Sequence, residues 1–483
     1  MSEAAWSARF ERWAEPLVRR AEAPGVIVAV GERGRMTYAH GFGHRDREAG
    51  LPITPDTMFG IGSVTKSFTA VAILQLQEQG RLSVDDPVVD HIPELTVPNA
   101  HSDPPMRIHH LLTHSSGLPP LPTLVPAMLT SLRQDEAVAR EMGLPTELLR
   151  DGQAIDSPEE MVRYLNALDI RPLGRPGEVF SYSNDGYALL GMIVERRSGR
   201  PYGDYLAEHV LGPAGMARTG LVEAVPKDPD VSVLYARRRR EGEGGAEGEG
   251  EVVRSPLWWQ SSAMAAAGFL RSTAADLLRY LEVFRTGGTV DGVRLLREES
   301  VRAMTARHIA CDVDEWYGYG LMVSAHQAGV TLVEHGGSIK GVAAQILLVP
   351  ERDLTVAVLA NLAGTPSLRL ATGAVNAYLG LEDVGTPRIS PPDYEGPADD
   401  LEEMVGRYAS EEGAQCEVSR EGDHLVLVAG GERLPARRIG RRRFLIVYHE
   451  EPMGVEFRPV GGVAAMTFGL RVLRRIEPQA AQA

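Results

Sequence analysis

Residues 67–80 read Ser-Phe-Thr-Ala-Val-Ala-Ile-Leu-Gln-Leu-Gln-Glu-Gln-Gly, a helix-length run that is apolar on most faces and closes on a glycine suited to a C-cap. A helix with so little polar surface has to be enclosed, which commits the chain to building layers around it. The residue just before the run is Lys66. Lysine is scarce: of 50 basic residues only Lys66, Lys227 and Lys340 are lysine. A composition that uses arginine almost everywhere keeps a lysine here, where a lysine can lose a proton and an arginine cannot. Ser63 stands three positions earlier. Helical residues at i and i+3 share a face, so a Ser63-Val-Thr-Lys66 turn sets the amine beside the hydroxyl and aims backbone N–H groups at a reacting carbonyl. Desolvation at the start of a buried helix favours the neutral, proton-accepting amine. Ser63 is therefore the candidate nucleophile. Taken alone, the tetrapeptide also has a plainer reading, a chance match in which Lys66 is an ordinary surface cation.

A chain of 483 residues exceeds one small core, and two domains are expected. The net charge of -15 and the lack of a basic stripe with interleaved aromatics argue against nucleic acid as a partner. Arg237 to Arg240 form the one basic run, and the acidic, Gly-rich stretch that follows to Glu251 reads as a solvated, mobile loop. Cys311 and Cys416 fall in different expected domains, so neither a disulfide framework nor a metal-ligand spacing is implied. The first residues are charged and amphipathic and lack a signal-peptide core, and no window approaches the roughly 20 apolar residues of a membrane span. A soluble, cytoplasmic protein without a membrane partner is the expectation.

Short β-rich runs at 25–30 and 35–40 flank a Gly-Glu-Arg-Gly hairpin signal, after an N-terminal helix to about residue 22. Helical patterns punctuated by Pro and Gly occupy 63–220. Strand signals return at 317–323, 330–335, 343–350 and 354–361. Hairpins at both ends with helices between predict an α/β (α+β) fold, one antiparallel sheet of chain-distant strands flanked by helices, with an all-helical lobe inserted. A Pro-, Gly- and Asp-rich linker over 381–399 then separates residues 1–380 from short alternating strands over 400–483, which read as a small antiparallel β-barrel.

An acylated Ser63 would also need a proton shuttle, substrate-orienting groups and a second oxyanion donor. Tyr182-Ser-Asn184 supplies a Tyr and an Asn on a loop, and the strand Thr331-Leu-Val-Glu-His335-Gly336-Gly337-Ser338 carries a glycine pair that lets substrate approach its edge. Each has a plain reading: Tyr-x-Asn arises by chance, His335 fits a hydrogen-bonded structural histidine, and Gly-Gly is more often a turn. His109, His110 and His114 sit at the start of a helix and read as structural. Trp258 and Trp259 suit either cleft lining or packing, and Tyr317 and Tyr319 read as packing.

In this order and separation the three motifs resemble those of the serine β-lactamase and penicillin-recognising hydrolase family, in its class C β-lactamase, D-aminopeptidase and esterase branch. Flanking segments strengthen the likeness: Phe59-Gly-Ile-Gly-Ser63, Ile108-His-His-Leu-Leu-Thr-His-Ser-Ser-Gly-Leu-Pro119, Gly268-Phe-Leu-Arg-Ser-Thr-Ala-Ala-Asp-Leu277 and Val349-Pro-Glu-Arg-Asp-Leu-Thr-Val-Ala-Val-Leu-Ala-Asn361. The resemblance spans about residues 10–375. It implies that Ser63 is acylated, that Lys66 accepts its proton, that Tyr182 is a phenolate-like base, and that Asn184 contacts substrate. His335 falls where many relatives carry Lys, and Gly337 and Ser338 border the substrate, with the amides of Ser63 and Ser338 as the oxyanion hole. No cofactor or metal is implied.

His335 is the informative departure, because a His offers only a partial charge where a Lys would hold a substrate carboxylate. That disfavours a dedicated β-lactamase or D,D-carboxypeptidase. It fits a peptidase, aminopeptidase or amidase acting on small, including D-amino-acid, peptides. Relatives of that kind append small lipocalin-like barrels. A carboxylesterase, a weak β-lactamase, or a non-catalytic penicillin- or peptide-binding protein of the same fold are the alternatives, and homo-oligomer formation through the barrel is compatible with each.

Overall fold

The computed structural model describes residues 3–135, 139, 144–221, 230–238, 250–396, 401–448 and 450–477. Arg239, Arg240 and most of the acidic stretch read as a mobile loop lie outside the described residues, as does Lys227.

The two ends of the long N-terminal part meet in one nine-stranded antiparallel sheet, in which strand Gly25–Glu32 pairs on one side with Arg35–Asp46 and on the other with Leu354–Ala360. Val28 sits opposite Val358 and His40. Strands Gly25–Glu32 and Leu354–Ala360 are buried almost throughout because both faces are covered, whereas Arg35–Asp46 is largely exposed. Val26, Val28, Val356 and Val358 pack against helices Glu3–Arg20 and Ser367–Leu379, through Trp6, Phe10, Leu370 and Val375. The intervening Ile27, Ala29, Ala357 and Leu359 face the opposite layer, which contains helices Thr65–Glu78 and Ala274–Arg285. The sequence run at 317–323 is split: strands Glu315–Tyr317 and Met322–Ala325 are joined through Gly318–Leu321. At Gly318 a Cβ would lie 2.0 Å from the Met304 carbonyl oxygen, and at Gly320, with φ +70°, 2.8 Å from the Lys66 carbonyl oxygen, so the backbone turns away from the ladder to press on the central helix.

Helix Thr65–Glu78 is enclosed as its composition requires. Every residue from Thr65 to Leu76 is buried, and Gly80 takes a left-handed φ of +69° just beyond its end. Its polar side chains are paired: Thr69 Oγ1 donates to Ala266 O (2.7 Å), and Gln75 Nε2 donates to His209 O and Leu295 O (2.9 and 3.0 Å). The helical lobe beside it includes Leu124–Gln134, Pro158–Ala167 and Asn184–Ser198. Ser183 caps the last of these by accepting from Gly186 N–H (3.0 Å), and Gly199 closes it at φ +74°.

Eight antiparallel strands from Gly406–Ala409 to Arg471–Ile476 close a C-terminal barrel, with Arg407 opposite Ile476 at the seam. Tyr408, Leu425, Leu427, Phe444, Phe457 and Met466 fill its interior. Between sheet and barrel, the Pro-rich segment is tied down: Arg388 is buried and bonds Glu315 through both terminal nitrogens, with Glu334 4.0 Å away. Barrel strand Glu451–Val460 meets the same place, Gly454 N–H donating to Asp312 (2.8 Å) and the Glu451 carboxylate lying buried without a hydrogen-bond partner among the described residues. Burial, then the charge of Glu315, pushes the Asp312 and Glu334 carboxyls up to about 7 and about 8 against the opposing pull of Arg388, and burial pushes Glu451 up to about 7.

These carboxyls titrate higher folded than unfolded. The stability they contribute is therefore full below the ordinary carboxylate range and is lost as pH rises through 7 to 8. Arg388→Ala should cost about 3 kcal/mol at pH 8, on the scale of breaking a buried pair. The loss should shrink at pH 6, where the stranded carboxyls take up protons; urea unfolding at the two pH values checks this.

Candidate active site

The 3₁₀ turn Gly62–Val64 leads directly into helix Thr65–Glu78, and strand Thr331–Ile339 lies against it. Two glycines make that approach possible. Gly62 has φ +49° and a Cβ there would lie 2.7 Å from Ser338 N, while a Cβ on Gly337 would lie 2.0 Å from Ile61 O and 2.9 Å from Ser63 N. The glycine pair thus lies inside the strand, at its point of contact with the turn, and the amides of Ser63 and Ser338 are set close together. Such a pair of N–H groups can hold a developing oxyanion.

Lys66 is wholly enclosed. Its Nζ lies 3.0 Å from Ser63 Oγ, 2.9 Å from Asn184 Oδ1 and 2.7 Å from Ala267 O. Burial first, then the Arg471 guanidinium, holds its pKa well below the usual lysine value, against weaker opposite pulls from Glu412 and Asp185. A neutral amine has two N–H donors and one lone pair. Asn184 Oδ1 and Ala267 O can only accept, which leaves the lone pair for the Ser63 hydroxyl proton.

Tyr182 is buried, hydrogen-bonded to Ser63, and has Lys66 Nζ 4.8 Å from its ring centroid. Burial raises its phenol above the ordinary value despite the Ser63 bond and Arg471. The resting site therefore differs from the phenolate-like state expected of Tyr182: the phenol keeps its proton, and the amine is the free acceptor. Asn184 opens its helix and joins the cluster through Lys66.

His335 is buried with both nitrogens engaged inside the protein, Nδ1 2.6 Å from Gly336 O and Nε2 2.9 Å from Tyr317 Oη. The carbonyl needs a donor, so Nδ1 carries the proton and Nε2 accepts from Tyr317. Burial, then Lys66, pushes the ring down to about 3, so it is uncharged at neutral pH. Tyr317, read from sequence as packing, is thus the partner that fixes this ring. His114 Nδ1 accepts from Ser183 N–H (3.0 Å) and its ring lies 4.1 Å from that of Tyr182, so it supports the Tyr182-Ser-Asn184 loop. His109 bonds Tyr319 (2.8 Å), and His110 accepts from Arg107 N–H (2.9 Å).

Two residues that the sequence reading missed come from the barrel. Arg471 Cζ lies 5.0 Å from the Tyr182 ring centroid, and Glu412 bridges Arg471 Nε (2.6 Å) and Asn184 Nδ2 (3.4 Å). Leu470, at φ +66°, accepts from Tyr182 N–H (2.9 Å). Glu412 sits in the turn Ser-Glu-Glu-Gly and Arg471 opens the strand just after the turn Gly469-Leu470, and neither turn carries a chemical motif; only the positive-φ turn after Phe468 is legible.

The Beta-lactamase family model matches residues 10–379. The chain belongs to this family and is a serine hydrolase. Esterase EstB of Burkholderia gladioli is 32% identical over 297 residues, 59% of this chain and 71% of the esterase. Among solved structures, the octameric penicillin-binding protein homologue from Pyrococcus abyssi is 30% identical with a TM-score of 0.67, covering 97% of this chain and 99% of that one. A D-stereospecific amidohydrolase from Streptomyces sp. is 25% identical with a TM-score of 0.59, over 77% of this chain and 97% of its own. No helix among the described residues is long and apolar enough to cross a membrane.

Gly337→Ala forces its Cβ against Ile61 O and Ser63 N, so it should slow Ser63 acylation by about 100-fold, the scale of losing one oxyanion donor. The rate of labelling by a fluorophosphonate, with circular dichroism to confirm the fold, measures it.

Proposed function

We propose that the protein hydrolyses small amide or peptide substrates, D-amino-acid derivatives among them, through an acyl ester on Ser63. The observation that carries this reading is the Lys66 nitrogen, whose two pure acceptors and single hydroxyl neighbour fit an uncharged base aimed at Ser63 Oγ. Lys66 takes the hydroxyl proton as Oγ bonds to the substrate carbonyl carbon, and the Ser63 and Ser338 amides hold the oxyanion. The carbon–nitrogen bond then breaks, with the Tyr182 phenol giving its proton to the leaving amine and the resulting phenolate recovering one from the Lys66 ammonium, which leaves both groups as they began. Water attacks the acyl ester by the same groups in reverse order. Asn184 and the 336–338 strand edge orient the substrate, with His335 holding that edge through Gly336 and Tyr317.

The similarity to the Streptomyces amidohydrolase supports amide substrates. The similarity to EstB favours a second reading, a carboxylesterase using the same residues. We place the division between catalytic part and barrel at 381–399, and the octameric Pyrococcus relative supports assembly into a homo-oligomer.

Incubation with a fluorophosphonate followed by intact mass should give one adduct on the wild type and none on Ser63→Ala. Lys66→Ala should lower turnover by about 100- to 10,000-fold. Rates on a D-Ala anilide, an L-Ala anilide and a p-nitrophenyl ester separate amidase from esterase. A wild type that no acylating probe labels and that cleaves none of the three overturns the reading.

Arg471 lowers the Lys66 pKa. Arg471→Met should therefore let it rise, moving the acid limb of the kcat/KM profile to higher pH, which a pH–rate series reads directly.

A further inference from the structure

We infer that the pocket beside Ser63, with Arg271 in its wall, is a subsite for substrates whose acyl portion carries a carboxylate. The inference rests on the Ser63 hydrolase reading and names a substrate class for it. Gly60, Gly62, Trp258, Arg271 and Ile339 help line a shallow depression that opens to solvent. Gly62 precedes Ser63 and Ile339 follows Ser338, so the depression opens off the seam where the two amides meet. The strand register that pairs Gly60 with Arg271 fixes the arginine there.

The guanidinium of Arg271 is charged and unspent. Its Nε is buried without a hydrogen-bond partner, and no carboxylate pairs with it among the described residues. Its Cζ lies over the Trp258 ring, 3.9 Å from the centroid. Burial pushes it down to about 10 with no acidic group opposing, yet an arginine keeps its charge at neutral pH. Lys340 lines the same depression but is taken up by Asp135 and by Leu257 O (2.8 Å). Apolar and glycine residues such as Trp258, Ile339 and Gly60 make up much of the remaining wall, leaving one net positive charge in a largely apolar recess. A guanidinium seated over an indole keeps its N–H donors, and a planar guanidinium can take a carboxylate through two parallel hydrogen bonds. A shallow depression takes only the end of a substrate chain, so the groups that fit the charge are the terminal carboxylate of a dicarboxylic acyl chain or of an acidic side chain.

The two sources are separable. Monoethyl glutarate against ethyl pentanoate, followed by pH-stat, tests the dicarboxylic acyl group. D- and L-glutamyl p-nitroanilide against the glutaminyl analogues test the acidic residue. Wild type should favour the charged member of at least one pair by about tenfold in kcat/KM. Arg271→Leu should collapse that ratio towards one, and Arg271→Lys should restore part of it. An arginine that only packs on Trp258 would lower both members together and leave the ratio unchanged, overturning the subsite, as would a wild type with no preference in either pair. Calorimetric binding of monoethyl glutarate and of D- and L-glutamate amide to Ser63→Ala keeps the subsite testable if the hydrolase reading fails. At least one should bind about tenfold more weakly to the Ser63→Ala/Arg271→Leu double variant, and equal affinity of all three for both proteins overturns it. Absence of a Ser63 adduct with fluorophosphonate sinks the hydrolase reading separately.

Discussion

One buried nitrogen sets the terms for the rest of the molecule. An amine with no solvent contact is held in its neutral form only if the surroundings neither hydrate it nor supply a close carboxylate. Lys66 meets both conditions, because a helix buried from Thr65 to Leu76 carries it and an amide and a carbonyl occupy its donors. That enclosure explains why the helix is apolar, why Gly320 replaces a bulkier residue where a neighbouring turn crosses the Lys66 carbonyl, and why the Ala265–Gly268 turn has to bring the Ala267 oxygen within 2.7 Å. The sheet and the helical lobe are the walls of this one desolvated volume.

The barrel is tied into the same electrostatics. Arg471 adds a cation that disfavours the ammonium form of Lys66, and Glu412 anchors that cation while holding Asn184. The position of the barrel is itself set some distance away, where Arg388 of the connecting segment sits among Glu315, Glu334 and Asp312 with Glu451 nearby from the barrel side. Four acidic groups around one guanidinium leave an excess of buried negative charge, so the join is held under electrostatic tension that protonation relieves. Through it, the ordering of an apparently featureless Pro-rich segment bears on two residues at the reactive centre.

Much of this was legible in the sequence where burial left a pattern. Runs such as 25–30 and 356–360 are apolar at every position because both sheet faces are covered, and they identified the chain-distant strands that pair. Ser63, Lys66, Tyr182 and Asn184 were legible as spacings, and the structure draws them together. What stayed hidden depends on contacts that no local pattern records. The run from Tyr317 to Val323 reads as one strand, yet Gly318 and Gly320 break it because Met304 O and the central helix leave no room for a Cβ. Tyr317 looks like packing until its hydroxyl meets His335. Glu412 in a hairpin turn and Arg471 at the strand start beside another lie in a barrel about 230 residues or more beyond Tyr182 in the chain, and turn composition reports backbone geometry, not what the side chains reach.

The charge pattern of the cleft follows from the same physics. Strand position 335, where many members of the family carry Lys, holds a neutral imidazole whose two nitrogens are satisfied by Gly336 and Tyr317. A lysine there would place a second ammonium close to Lys66, in competition for the desolvation that keeps that amine a base. Exchanging it for His removes the conflict but also removes the cation that would hold an acidic substrate group. The permanent charges near this cleft instead come from arginines on other elements, Arg471 against the Tyr182 ring and Arg271 against Trp258. Both guanidinium groups lie over aromatic faces, which stabilise cations, and the carboxylate that Arg471 engages, Glu412, pulls on Lys66 less than burial and Arg471 together push the other way. The cation over Trp258 and the enclosed amine of Lys66 are thus carried by separate elements.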